Sequence, residues 1–315
     1  MTPTAVTDSN VFAHPALFYA TDQEYLTSVG GFVRAAIQAE EPALVAVPGP
    51  QLGALRDWLG DASPSVDFVD MTVLGRNPGR ILTAMHSFAD RHPGRPVRVV
   101  GEQTWPGRTP AETLEAIRHE ALINTAFIRH HATILCPYAV TGLPDNVLAD
   151  ARRTHPTLIH HGHDQTSDTY TDPVLVCADC DQPLPPPPPA GVLTVDYATH
   201  QLASVRHQPT AWATTTPLDA TRASDLVLAV NEAAANSLAH GGGHGTLRLW
   251  TTASGTVTAE ISDKGHLLDP LAGRTRPTAA SANGGRGLWM IHQLCDLVET
   301  RTTPAGLTLR LHLTP

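Results

Sequence analysis

Lysine is almost missing from this chain. Lys264 is the only one, so the basic charge rests on arginine, accompanied by 17 histidines, a usage that reads as coding bias before it reads as chemistry. No run of Lys or Arg goes beyond the pair Arg152-Arg153, and 21 Lys and Arg face 30 acidic residues for a net charge of −9. That balance argues against a nucleic-acid surface as the main partner. The four cysteines, Cys136, Cys177, Cys180 and Cys295, are too few for a disulfide framework in 315 residues, and a reducing, cytoplasmic setting is expected. No apolar run is long enough to cross a bilayer, and no membrane partner is expected. The opening "MTPTAVTDSN" lacks the basic and apolar regions of a signal peptide. There is no internal repeat.

What is present suits a packed globular protein: 42% of residues are hydrophobic, 16% are charged, and the length suits two domains. The seam is "DQPLPPPPPAG", Asp181–Gly191, where five consecutive prolines favour an extended, semi-rigid polyproline spacer. Upstream, "HHGHDQTSDTYTDP" is polar and aperiodic. The expected organisation is therefore a domain over 12–159, a linker over 160–191 and a domain over 192–315. In the first block short apolar strands ("PALVAVPG", "SVDFVDM", "VRVVGEQTW", "ATILCPYAV") alternate with helical segments. This pattern predicts a mostly parallel sheet with helices on both faces, an α/β fold. Its first strand–turn–helix, "VPGPQLGAL", stands where a phosphate loop would lie but has no Gly-Lys-Ser/Thr, so this block is not expected to bind ATP.

The first block carries "HPALFYATDQEYL", "DMTVLGRNPGRI", "GEQTWPGRTPAE", "RHEALINTAF", "CPY" and "ARRTHP". Together these resemble the MEDS sensory domain over almost all of residues 12–159. The resemblance implies a RecA-like or KaiC-like core with a degenerate phosphate loop and a role in sensing an unidentified small molecule. Candidate ligand residues at strand ends are Glu102, Trp105, Arg108, His119 and Glu120. The same residues also suit structural roles, Trp105 as a cap on the core and His119–Glu120 as helix surface.

The second block holds three polar elements in order. "NEAAANSLAH" places Glu232, Asn236 and His240 at successive turns of one helical face. A strand ends in Asp263-Lys264-Gly265, and after a long Gly/Pro/Ser-rich loop "GGRGLWMIHQL" opens a helix with glycines. A glycine turn at a helix start exposes N–H groups that accept phosphate. An Asn oxygen suits Mg²⁺, and an Asp beside a glycine can accept from an adenine amino group. "THPTLIHHGHDQ", with His155, His160, His161 and His163, and the later Cys177/Cys180 pair have zinc-ligand composition. Their spacing fits no compact zinc module, and a metal-free linker is favoured.

Residues 193–315 resemble the Bergerat-fold (GHKL) ATPases, which implies an α/β sandwich that binds ATP with Mg²⁺. The resemblance implies that Asn236 holds the Mg²⁺, that Asp263 with Gly265 binds adenine, and that Gly285, Arg286 and Gly287, with Leu288 beside them, meet the phosphates. The second glycine of the common D-x-G-x-G pattern is missing after Gly265. Within that group the pattern E-A-x-x-N-x-x-x-H, here Glu232, Ala233, Asn236 and His240, is most similar to the anti-sigma-factor serine kinases of bacterial partner switching. With the MEDS-like block the whole chain resembles actinobacterial anti-sigma regulatory proteins. This implies a sigma factor and an STAS-type anti-anti-sigma protein as partners, a stress-response setting, and Glu232 as the base toward a Ser or Thr hydroxyl. Two alternatives stay open: a non-catalytic ATP-binding partner module, and a histidine-kinase-like phosphodonor. For the latter, "GVLTVDYATHQLASVRHQ" is too short to supply a dimerising hairpin, and His200 and His207 read as surface. The oligomeric state is open, a homodimer included.

Overall fold

The computed structural model describes residues 12–277 and 286–315, apart from the side chains of 202–204 and 206. By its contacts the chain divides into two units. The first runs to Gly75 and resumes over Ala84–Val176; the second comprises Arg76–Thr83 and Cys177–Pro315.

In the first unit the strands are β1 (Pro15–Tyr19), β2 (Ala43–Val47), β3 (Val66–Asp70), β4 (Val97–Gly101), β5 (Ala132–Ala139), β6 (Thr157–His160) and β7 (His163–Thr166). The helices are α1 (Asp22–Gln38), α2 (Gly49–Leu59), α3 (Met71–Leu74), α4 (Ile81–Asp90), α5 (Pro110–Ala126) and α6 (Asp145–Thr154), with α7 (Pro173–Asp179) at the boundary. The sheet order is β3-β2-β4-β5-β1-β6-β7, parallel except that β7 runs antiparallel to β6. Every residue of β1 and β2 is buried, which a strand achieves only when both its faces are covered. Helix starts follow local chemistry. Thr21 caps α1 by accepting from Glu24 N–H. Thr109 and Glu112 form a reciprocal capping box at α5, with Pro110 in the first turn.

Two parts of this unit differ from the sequence expectation. The central strand β1, between β5 and β6, shows no alternation and, unlike β2 of the same length, is not closed by a Pro-Gly turn that would mark it in the sequence. The polar stretch assigned to the linker after residue 159 contains β7, joined to β6 through His161 and Gly162, both at positive φ. Its four residues are all exposed, so no hydrophobic alternation marks the strand.

The second unit is an antiparallel sheet of order β11-β12-β10-β9-β8. It uses β8 (Leu193–Ala198), β9 (His244–Thr251), β10 (Val257–Asp263), β11 (Leu297–Thr303) and β12 (Gly306–Leu313). Its helices are α8 (Leu202–Ala213), α9 (Ala220–His240) and α10 (Arg286–Leu294). Leu226, Val230 and Ala234 of α9 pack in one core with Leu247, Leu249, Ile261, Leu309 and Leu311 of the sheet. The other face carries charge in register. Arg248, Glu260, Arg310 and Glu299 are successive cross-strand partners on β9, β10, β12 and β11, alternating in sign. Arg248 Nη1 lies 3.0 Å from Glu260 Oε1, and Arg310 Nε 3.0 Å from Glu260 Oε2. Asn77 and Arg80, which belong to this unit by their contacts, both donate to the carbonyl of His292 (2.9 Å each) near the end of α10.

The proline-rich segment is more than a spacer. Arg310 Nη2 donates to the carbonyl of Pro185 (2.6 Å), Arg301 Nε to that of Gln182 (3.1 Å), and Asp181 accepts from Thr302 N–H (3.3 Å). Asp181, Leu184 and Pro187 are half-buried while the residues between them are exposed. That three-residue rhythm is the pitch of a polyproline helix laid along the sheet.

Candidate functional site

In the second unit the site is assembled from helix ends and a strand end. Asp219 caps α9 by accepting from Arg222 N–H, and the face bearing Leu226, Ala229, Val230, Ala233 and Ala234 is buried on the sheet. Glu232 and Asn236 fall beside that face and are half-buried. The helix stops where Gly241 N–H bonds to Ser237 O (2.7 Å), and a Cβ on Gly241 would overlap the Asp263 carboxyl group. Asp263 is the last residue of β10, and its Oδ1 accepts from Gly265 N–H (2.7 Å). A Cβ on Gly265 would come within 2.8 Å of His240 O. These two glycines let the end of α9 and the end of β10 close on each other.

The first turn of α10 completes the arrangement. A Cβ on Gly287 would stand 3.0 Å from Glu232 Oε2 and 3.1 Å from Asn236 Nδ2, a tight fit, so the absence of a side chain lets this backbone sit directly against both side-chain ends. A cavity of about 670 Å³ opens here, walled by Asn236, His240, Asp263, Gly265, His266 and Leu288. Glu232 stands outside that wall, at Gly287. Arg286, the first residue of α10, is exposed, and Gly285 lies outside the described residues. The loop after Gly265 forms another wall of the cavity through Leu267, Leu271 and Ala272, and Gly273 (φ +79°) is pressed against Leu288. The volume suits a nucleotide-sized molecule. Its polar lining includes the Asp263 carboxylate, the Asn236 carboxamide, His240, His266, Thr275 and Arg276.

In the first unit the predicted ligand residues have separate partners. Glu102, just past β4, is buried and accepts from Tyr19 (3.3 Å) and Tyr25 (3.2 Å) hydroxyls. Burial pushes its carboxyl up to about 8. Trp105 and Arg108 meet, the guanidinium 3.8 Å from the ring centre, and Arg108 also donates to Gly75 O (2.6 Å). Burial lowers Arg108 to about 10. His119 and Glu120 are not helix surface: both are buried, because α5 is covered along most of its length.

Glu120 belongs to a group that sequence reasoning missed. It meets His14, just before β1, Cys136 on β5 and His155, the residue following α6, and none of the four is more than 2% exposed. Four single residues far apart in sequence leave no motif; only the topology gathers them. Of the other histidines weighed as metal ligands, His160 stacks on Phe18 at 4.6 Å and His161 pairs with Glu24 at 3.2 Å. Cys177 and Cys180 are buried in the second unit.

Among the described residues no helix is long and apolar enough to cross a membrane. Residues 13–156 match the family described as MEDS, the MEthanogen/methylotroph, DcmR Sensory domain, and residues 195–313 match the histidine kinase-like ATPase domain. No curated protein sequence matches the chain. Among solved structures, a chain of the SiaB–SiaC complex from Pseudomonas aeruginosa is similar over 38% of this chain and 88% of its own. The identity is 13% and the TM-score 0.31.

Proposed function

We propose that this chain, a MEDS domain followed by a histidine kinase-like ATPase domain, is an ATP-dependent protein serine/threonine kinase of the partner-switching kind. In this reading it binds a sigma factor and phosphorylates an STAS-type antagonist, and a small molecule bound by the MEDS domain regulates it. The observation that carries the reading is a nucleotide-sized cavity walled by Asp263, Asn236 and Leu288, with Glu232 beside that wall at Gly287.

The residues fit ATP with Mg²⁺. Asp263 keeps one carboxylate oxygen on Gly265 N–H and turns a polar edge to the cavity, where it would accept from an adenine amino group. Gly265 leaves room for a base against the backbone. Asn236 would hold the Mg²⁺ through its side-chain oxygen. The first turn of α10, with Gly287 lacking a side chain, offers N–H groups and the positive end of the helix dipole to phosphate. Bound ATP supplies the γ-phosphoryl group, with Mg²⁺ balancing its charge. Glu232, one turn before Asn236, accepts the proton of the incoming Ser or Thr hydroxyl at its carboxylate.

Calorimetry on the full chain tests the nucleotide site. Asp263→Asn is expected to weaken ATP and ADP alike by about 1–3 kcal/mol, the cost of a buried polar group left without its partner. Asn236→Ala should remove most of the Mg²⁺ dependence. Unchanged affinity in both variants removes the assignment.

A further inference from the structure

The buried group in the first unit has a polarity that protein atoms alone leave unbalanced. Asn124 Nδ2 donates to Thr154 O (2.8 Å), which turns its carbonyl oxygen toward His14 Nδ1 (3.1 Å). A carbonyl only accepts, so His14 carries its proton on Nδ1. His155 Nδ1 likewise lies 2.8 Å from Ala151 O and must donate there. In the neutral rings both Nε2 atoms therefore present lone pairs, and both face Glu120 Oε2, at 3.3 Å from His14 and 3.5 Å from His155. His155 Nε2 is fully buried and has no hydrogen-bond partner among the described residues. Cys136 Sγ completes the group, 3.3 Å from His14 Nε2 and 3.5 Å from Glu120 Oε2. Its single S–H can serve one lone pair, not three.

We propose that His14, Glu120, Cys136 and His155 form a closed four-ligand site for a zinc-class divalent cation. Zinc bonds of about 2.0–2.3 Å to N, O and S in a tetrahedron set neighbouring ligand atoms about 3.3–3.8 Å apart. The four contacts above are 3.3, 3.3, 3.5 and 3.5 Å, and all four ligand atoms lie within 4.8 Å of one another. The surroundings are those of metal ligands. Each imidazole is oriented by a hydrogen bond from its far nitrogen, and Tyr138 donates to Glu120 Oε1 (2.9 Å), leaving Oε2 for the ion. Charge also closes: a divalent cation with one thiolate, one carboxylate and two neutral imidazoles is neutral overall, as a buried site requires. Cys136 binds as thiolate and gives its proton to the solvent on loading. With every position taken by protein, the site serves structure or metal sensing rather than hydrolysis. The inference stands independently of the reading of the second unit.

The test uses the full chain purified without a metal-affinity tag. Elemental analysis should find one zinc per chain. Cobalt loading of stripped protein should give the intense visible bands of a tetrahedral ion and a near-ultraviolet thiolate charge-transfer band. Cys136→Ser should lose the charge-transfer band. Asn124→Ala, which frees the His14 ring and leaves the Thr154 carbonyl without its donor, should weaken zinc affinity by about 10–100-fold while circular dichroism is unchanged. The double variant Cys177→Ser/Cys180→Ser should keep both the metal and the bands. Wild-type protein that carries no zinc and develops no tetrahedral cobalt spectrum overturns the site. So does metal that disappears with Cys177 and Cys180. Should Cys136→Ser fail to fold, the wild-type cobalt spectrum and Asn124→Ala decide.

Discussion

The two units gather polar side chains in opposite ways. In the first, carboxylates, imidazoles and a thiol are sealed in the interior, each held by neighbours on several elements. In the second, Asn236 and Asp263 are half-buried on the wall of a cavity that is partly closed by a loop, and Glu232, also half-buried, stands beside that wall. A sealed group can hold an ion or a proton but cannot turn over a substrate. An open one can exchange a nucleotide and admit a partner's side chain. Protection from water suits the first and accessibility suits the second, so substitutions should act on stability in one and on chemistry in the other.

The sharpest way to break that division is at Glu232. Replacing it with Gln keeps the shape and removes the proton acceptor, so phosphate transfer to the antagonist should fall by about 10²–10⁴-fold while ATP affinity holds. Radiolabel transfer at matched nucleotide occupancy measures it. Equal transfer by both proteins would take Glu232 out of the chemistry. Gly241→Ala comes next: its Cβ would occupy the space of the Asp263 carboxyl group. Displacing Asp263 should lower ATP affinity at least roughly tenfold, about 1.4 kcal/mol, read by calorimetry.

On the sealed side the expected readout is pH-dependent stability. Glu102 titrates near 8 in the folded chain because burial disfavours its charge, against the ordinary carboxylate range when unfolded. The folded state then holds the proton that the unfolded state has lost, so stability falls as pH rises from the ordinary range to about 8. The slope is at most about 1.4 kcal/mol per pH unit. Glu102→Gln should flatten that decline in urea unfolding at pH 5 to 8; an unchanged pH profile would show that Glu102 is not its source. The smallest effect is expected at the exposed Arg91–Asp67 pair. Asp67→Asn should change stability by less than about 1 kcal/mol, and a larger loss would mean that exposed pairs matter here as much as the interior does.

The same contrast governs what could be read from sequence. Glu232, Asn236, His240, Asp263, Gly265 and Gly287 announce themselves because each belongs to a short local pattern: a helical repeat, a strand end or a glycine turn. Local patterns survive in one dimension. That Glu232 stands beside the cavity wall rather than in it was not legible, since it depends on how α10 meets α9. Glu120 reads from sequence as a candidate small-molecule ligand near a strand end or as helix surface, whereas it lies buried within α5. Its real companions, His14, Cys136 and His155, come together because β1 inserts beside β5 and because His155 follows α6. The strand β1 is as free of alternation as β2, but it lacks the Pro-Gly turn that ends β2 and marks it in the sequence.

The polyproline segment on the second unit's sheet bears on how the protein behaves at high concentration. β11 is an edge strand, and edge strands offer unpaired N–H and C=O groups to any extended chain that approaches. Here Asp181 takes the N–H of Thr302 with a side chain, and Gln182 and Pro185 give carbonyls to arginine side chains rather than to a β-ladder. Pro183 and Pro185–Pro189 have no N–H, so this cover cannot itself become a strand that pairs with the next molecule. Replacing those prolines with residues that can donate would turn a cover into a template for self-association.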